Sequence, residues 1–254
     1  MARQHPIRDA GLALSLLTAI PTRAKWPEDG QTQVAAWFPA VGGLLGMVGY
    51  GLAKLAETTG AVHRAPYLVA ALIVVAWALL TRILHWDGLA DVADGYWGSH
   101  DQTRRLEIMS DSHTGAFGAT AVALVALVEV AAMGSFLADH QFLILLAAVF
   151  ARFSATAAAW FGTPARPGGL GRSVMGRPTA SSVCLVVVVV GLAVLALFLG
   201  YGIAGAALAA CGLVVALGVP HMLALRFGGV TGDVMGASVL ITEALLLAGF
   251  ALVL

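Results

Sequence analysis

Charge is scarce in this chain. Asp, Glu, Lys and Arg make up 11% of its 254 residues and cancel to a formal net charge of zero, against about 25% charged residues in soluble domains. So little charge leaves no soluble domain to carry function alone, and without a basic excess nucleic acid is not an expected partner. Cysteine is nearly absent too. Cys184 and Cys211 are the whole complement; both fall in apolar stretches and read as small core residues, which excludes a disulfide framework and a thiolate metal site. No internal repeat is evident. The N-terminal segment lacks a small-residue cleavage site ahead of Pro21 and its basic flank, so a cleaved signal peptide is not expected.

What the chain has instead is apolar length. Hydrophobic residues are 59% of it, and its mean hydropathy is +0.89. A bilayer core of roughly 30 Å needs about twenty apolar residues per crossing. The sequence predicts an all-α fold, a polytopic transmembrane helix bundle forming one integral membrane domain over 1–254. About seven spans are expected, near 34–54, 66–86, 116–137, 141–162, 181–199, 201–221 and 236–254. The segment 10–20 is too short to cross and stops before Pro21, so a short interfacial or re-entrant helix is expected there. Positive charge is uneven. Arg3, Arg8, Arg23, Lys25, Arg104, Arg105, Arg166, Arg172, Arg177 and Arg226 fall before the first span or after the second, fourth and sixth, against Lys54 and Arg64 on the other side. By the positive-inside rule the richer side is cytoplasmic and the C-terminus lies outside.

Three stretches hold most of the polar chemistry, 82–118, 162–177 and 226–236, and under this topology all face the cytoplasm. The first contains LHWDGLADVADGYWG, Leu84 to Gly98, with three aspartates and no basic residue. If the second span continues beyond the bilayer as helix, Asp87, Asp91 and Asp94 fall at i, i+4 and i+7, within about 60° on one face. Like charges at that spacing repel, and near a helix C-terminus the macrodipole opposes them further. Two unfavourable effects on one short segment call for a cation, and oxygen donors alone suit Mg²⁺ or Mn²⁺. Because Mg²⁺ keeps several waters and is completed by substrate phosphates, the cluster predicts a seat for a metal-bound diphosphate. The plainer alternative is a loop that the aspartates merely solvate. His85 beside them is either an acceptor for the proton of an attacking hydroxyl or an interfacial hydrogen bonder.

RRLEIMSDSHTGAFGA, Arg104 to Ala119, follows. Arg104 and Arg105 supply guanidinium groups, and Glu107 and Asp111, at i and i+4, supply carboxylates, a mixture suited to phosphoryl transfer. The competing reading is a surface helix with a local Arg104 to Glu107 ion pair. GAFGA is expected to allow close helix packing. In TPARPGGLGRSVMGRPT, Arg166, Arg172 and Arg177 read as topogenic charges or as a flexible basic lid over an anionic substrate. Asp233, in RFGGVTGDVMGA, is either the N-cap of the last span or a fourth acidic contributor. Inside the spans Glu129 and Arg152 are expected to pair. With Glu243 they also allow a rival reading, a transporter or ion path.

TRILHWDGLADVADGYWG, RRLEIMSDSHTGAFGA, GLGR and GGVTGDVMGA, in this order and preceded by FPAVGGLLG at Phe38 to Gly46, resemble the hallmark segments of the cobalamin synthase family, the adenosylcobinamide-GDP ribazoletransferases. The resemblance extends from Trp37 to Glu243. It implies a Mg²⁺-dependent enzyme of the bacterial inner membrane, in which a ribose hydroxyl of α-ribazole or its 5′-phosphate attacks the corrinoid-side phosphorus of adenosylcobinamide-GDP and GMP leaves. Carried over, Asp87, Asp91 and Asp94 are metal or diphosphate residues, with Asp111 close to them. Residue chemistry and resemblance together single out His85, Asp94 and Asp111 for catalysis and Asp87, Asp91, Asp94 and Asp111 for metal. For substrate they single out Arg82, Arg104, Arg105, Glu107, Arg172 and Asp233. Trp86 stands where the pattern has Leu, and His113 where it has Arg; the second exchange replaces a permanent charge with a titrating one. The expected partners are the two substrates and the lipid bilayer, and association with further copies of the chain is left open. A CDP-alcohol phosphotransferase, with its Asp-x-x-Asp-Gly-x-x-Ala-Arg pattern, is the rival among enzymes. Here Asp91 follows Leu89 and Ala90, and no arginine follows that alanine.

Overall fold

The computed structural model describes residues 5–27 and 32–254; Arg3, one of the charges in the topology argument, lies outside them. The chain opens with α1 (Pro6–Leu17) and a 3₁₀ turn at Val34–Trp37 that runs straight into α2 (Phe38–Thr58). There follow α3 (Ala61–Arg64), α4 (Pro66–Leu80), α5 (Leu84–Gly98), α6 (Gln102–Ile108), α7 (Ala116–Phe136) and α8 (Phe142–Phe161). The last three are α9 (Leu170–Val174), α10 (Ala180–Phe227) and α11 (Gly232–Val253). Among the described residues the one β-type pairing is an isolated bridge between Pro164 and Val230, so the fold is all-helical, as the composition predicts.

Exposed apolar and core-facing stripes are distinct. On α4, Leu68, Leu72, Val75 and Leu79 are exposed at helical spacing while Ala70, Ile73 and Trp77 are buried. An apolar stripe left open in this way is what a membrane-spanning helix requires. In the core, Gly42 and Gly46 let α2 lie directly on α8, because a Cβ at either would overlap the backbone at Ala148 or Leu145. Small residues four apart permit such close crossings in membranes. Where α8 meets α11, Arg152 pairs with Glu243 at 2.5 Å, both almost wholly buried. This corrects the expected Glu129 to Arg152 pair: α11 packs against both α7 and α8, and the α11 carboxylate reaches the guanidinium first. Glu129 is buried nearby with one carboxylate oxygen unpartnered.

Five helices are long and apolar enough to cross a bilayer, or six if α4 and α5 count as one bent span, rather than about seven. The difference lies in α4, which counts only together with α5, and in α10, which counts once. As one rod its 48 residues would measure about 72 Å at ~1.5 Å per residue, more than twice the thickness to be crossed. Its backbone breaks at Gly202 (φ 58°, ψ −131°), a conformation open to glycine alone. Both ends of α10 meet the same end of the bundle: the Thr179 N–H donates to Gln33 Oε1 at 3.2 Å, and the Arg226 carbonyl accepts from Arg105 at 2.9 Å. Tyr201, beside the break, meets His140 in the α7–α8 connection at 3.1 Å. The helix therefore turns back on itself at the position where the sequence predicts a boundary between two spans.

The second span does not continue into the aspartate segment. α4 stops at Leu80, Arg82 and Ile83 adopt positive φ (53° and 61°), and α5 departs at 91°. Two non-glycine residues in this region cost roughly 1–3 kcal/mol each, so the turn must be held from outside. α1 does this. Arg82 donates to the carbonyls of Ser15 (2.9 Å) and Leu16 (3.3 Å), and the Ala19 N–H donates to the Leu80 carbonyl (2.7 Å). α5, about 22 Å long at ~1.5 Å per residue, is too short to cross alone and packs across the ends of α7 and α11 where the polar stretches gather.

Candidate active site

The turn before α5 changes the electrostatic setting of the aspartates. Asp87 sits in the first turn of α5, where the macrodipole favours a carboxylate, and not near a helix C-terminus as the continuous-helix reading required. Gly88 then brings α5 onto α11: a Cβ there would lie 2.9 Å from the Asp233 carbonyl oxygen. Asp87 and Asp91 are thereby set beside Asp233. Asp91 is half-buried. Burial, then the carboxylates of Asp233, Asp87 and Asp94, push its pKa up to about 7, with the Arg166 guanidinium acting in the opposite sense. Of the two readings of Asp233, the capping one fails. Thr231, in extended conformation, is the N-cap of α11 and accepts the Val234 N–H at 3.1 Å. Asp233 takes a hydrogen bond from the Thr231 hydroxyl at 3.3 Å and belongs to the acidic group.

Around these carboxylates the three polar stretches converge. The Val230 N–H donates to the Thr163 carbonyl (2.7 Å) and the Ala165 N–H to the Val230 carbonyl (3.1 Å), which ties the loop after α8 to the entry of α11. Arg166 reaches the Leu106 carbonyl at 2.5 Å and so joins α6 to the same loop. Two adjoining hollows result. One, of about 180 Å³, is walled by apolar side chains together with His85, Asp87 and Asp233. The other, of about 210 Å³, carries Arg166 and Arg172 and shares Gly171, Gly232 and Asp233 with the first. His85 is 2% exposed and its Nε2 has no hydrogen-bond partner.

Several expected contributors are occupied elsewhere. Asp94 accepts the N–H groups of Gly115 (2.6 Å) and Gly118 (2.8 Å), so it caps α7 from a neighbouring helix, and the GAFGA glycines make room for its carboxylate. Asp111 is engaged within its own loop. It is exposed, and its hydrogen bonds from the His113 ring (2.7 Å) and backbone (3.0 Å) hold its pKa below the usual carboxylate value. Arg105 is buried and donates to the Ser99 (2.8 Å) and Arg226 (2.9 Å) carbonyls, a fastening between helix ends. Arg82 is likewise committed to α1. Arg104 and Glu107 form the exposed local ion pair, 2.8 Å, of the plainer reading. Arg166, set apart by nothing in its loop but its charge, is the cation that faces Asp91 and Asp233.

Among the described residues no three His, Cys, Asp or Glu side chains converge to hold a metal ion by themselves. The residues that could hold one in company with a substrate are the acidic group. Asp87, Asp91 and Asp233 offer oxygen only, carry more negative charge than Arg166 offsets, and lie beside a cleft with two arginines. Oxygen donors of this kind could hold Mg²⁺ through one or two carboxylates if water and substrate phosphate completed its shell.

Fold and site define a polytopic helical membrane protein with an acidic pocket and an arginine-lined cleft side by side at one end. The chain belongs to the cobalamin-5-phosphate synthase family, which it matches over residues 9–251. It is 39% identical to the adenosylcobinamide-GDP ribazoletransferase of Frankia casuarinae, over 93% of this chain and 91% of that one. It is also 39% identical to the protein of the same name in Syntrophobacter fumaroxidans, over 95% and 97%. The counterpart in Pseudomonas aeruginosa PAO1 is 34% identical, over 98% and 100%. No solved structure matches it.

Proposed function

We propose that this chain transfers the adenosylcobinamide phosphate moiety of adenosylcobinamide-GDP to α-ribazole or its 5′-phosphate, releasing GMP and forming adenosylcobalamin or its 5′-phosphate. The observation that carries this is the half-buried Asp91, crowded by Asp87, Asp94 and Asp233 and faced by Arg166, in a member of the cobalamin-5-phosphate synthase family.

In this reading Asp87, Asp91 and Asp233 hold Mg²⁺, or Mn²⁺ in its place. The ion supplies charge neutralisation on the diphosphate. Arg166 and Arg172 bind the phosphate oxygens that carry charge as the bond to GMP breaks. His85, buried and with Nε2 unpartnered, takes the proton of the attacking ribose hydroxyl. One P–O bond forms as another breaks, and the leaving GMP carries away the electron pair. Arginine and lysine fall chiefly on the site's side of the bundle, with Lys54 in the last turns of α2 and Arg64 beyond its far end. That asymmetry supports a cytoplasmic site in the bacterial inner membrane.

The test is GMP release by detergent-purified protein given both substrates, with Mg²⁺ and with EDTA. Metal-dependent GMP formation with a cobalamin product is expected. Asp91→Asn is expected to reduce turnover at least about 100-fold, the scale of a lost charge-stabilising contact, while the protein stays folded. Folded wild type that releases no GMP with any divalent metal would sink the reading.

A further inference from the structure

The hollow of about 180 Å³ beside the carboxylates differs from the arginine cleft next to it. Its walls include Leu17, Phe38, Met235 and Val239, and its ionisable side chains are those of His85, Asp87 and Asp233, where α5 and α11 meet. An apolar cavity of ~150 Å³ is enough to take up benzene, so this one has room for a small fused aromatic ring system and far too little for a corrinoid. The two nucleotide bases of the reaction differ in what they need. Guanine carries hydrogen-bonding groups along most of its rim, and burying them among Leu, Phe, Met and Val without partners costs several kcal/mol. The base of ribazole is a dimethylated benzimidazole, planar and apolar, with a single unsubstituted ring nitrogen. Its sugar would need polar surroundings, and those lie at the edge where His85 Nε2 is buried without a partner and Asp87 is exposed.

We infer that the cavity lined by α1, α2, α5, α8, α9 and α11 is the seat of the benzimidazole base of the acceptor, with its ribose at the His85–Asp87–Asp233 edge. The assignment rests on the transferase reading above and adds to it which substrate occupies which hollow. The acceptor's 5′-phosphate and the diphosphate are then left to the cleft that carries Arg166 and Arg172.

Two measurements test it. In wild type, free dimethylbenzimidazole is expected to inhibit GMP release competitively against α-ribazole but not against adenosylcobinamide-GDP. In Val239→Phe and in Leu16→Trp, Leu16 being a further wall residue, the added bulk is expected to raise the KM for α-ribazole at least tenfold while that for adenosylcobinamide-GDP stays within twofold. Wild-type turnover that the free base fails to inhibit, or inhibition competitive with adenosylcobinamide-GDP instead, overturns the assignment even if the bulky variants do not fold. Folded variants with unchanged KM for both substrates overturn it as well, and point to a lipid chain in the cavity. Wild type that transfers nothing at all is a different failure, that of the transferase reading itself.

Discussion

Asp91 concentrates the electrostatic tension of the site, and the tension has a measurable sign. In an unfolded chain an aspartate ionises near 3.8, whereas in the folded, metal-free protein Asp91 keeps its proton up to about 7. The unfolded state therefore releases that proton first, and folding loses stability as pH rises between those two values. In EDTA the protein is expected to melt at a lower temperature at pH 8 than at pH 5.5. Asp91→Asn should flatten the difference, and Mg²⁺ at pH 8 should restore the lost stability because a cation favours the ionised site. Thermal unfolding in detergent at the two pH values checks all three; a pH response that survives in Asp91→Asn would assign it to another group. The arginines separate on the same scale. Arg105→Ala strips donors from the Ser99 and Arg226 carbonyls and should cost roughly 2–3 kcal/mol of stability, with KM unchanged in the folded fraction. Arg166→Ala should raise the KM for adenosylcobinamide-GDP about tenfold, the effect of one lost charge contact.

The element that organises the site is α5, and its placement depends on contacts distant in sequence. The i, i+4, i+7 spacing of Asp87, Asp91 and Asp94 was legible, as was the gathering of three polar stretches at one end. The right-angled turn before α5 was not: Thr81, Arg82 and Ile83 include neither Pro nor Gly, and the turn is imposed by α1 through hydrogen bonds spanning more than sixty residues. The partners of Asp94 were hidden for the same reason, since its ligands are backbone N–H groups, which no residue pattern displays. That partnership yields a discriminating pair of substitutions. Asp94→Ala removes a cap from α7 and should cost about 1–2 kcal/mol. Asp94→Asn keeps one acceptor and should retain most activity, unlike Asp91→Asn; equal losses in the two Asn variants would restore Asp94 to the metal site. Gly88→Val should separate α5 from α11, because a Cβ there meets the Asp233 backbone, and abolish turnover with helical content preserved by circular dichroism.

At the scale of the whole molecule, the buried charges inside the bundle decide between an enzyme whose core is held by an ion pair and a path for ions. Arg152, Glu243 and Glu129 are each about 1% exposed, and Arg152 also packs over the Trp77 ring at 5.9 Å. Charges this deep are costly unless matched, and here the match joins α8 to α11, the helix whose first turn supplies Asp233. Removing only the cation leaves two acids in an apolar core. Arg152→Met is therefore expected to destabilise by roughly 3–5 kcal/mol, whereas Arg152→Met combined with Glu243→Leu should recover most of the loss, because replacing a whole buried pair with apolar residues is often neutral. Denaturant unfolding in detergent measures the stabilities, and GMP release measures what they do to the site. If the pair is a fastening, turnover follows the folded fraction in both variants, and Glu129→Gln leaves GMP release unchanged. If these groups instead carry ions or protons through the bundle, Glu129→Gln acts without changing stability, and the double variant stays inactive however well it folds.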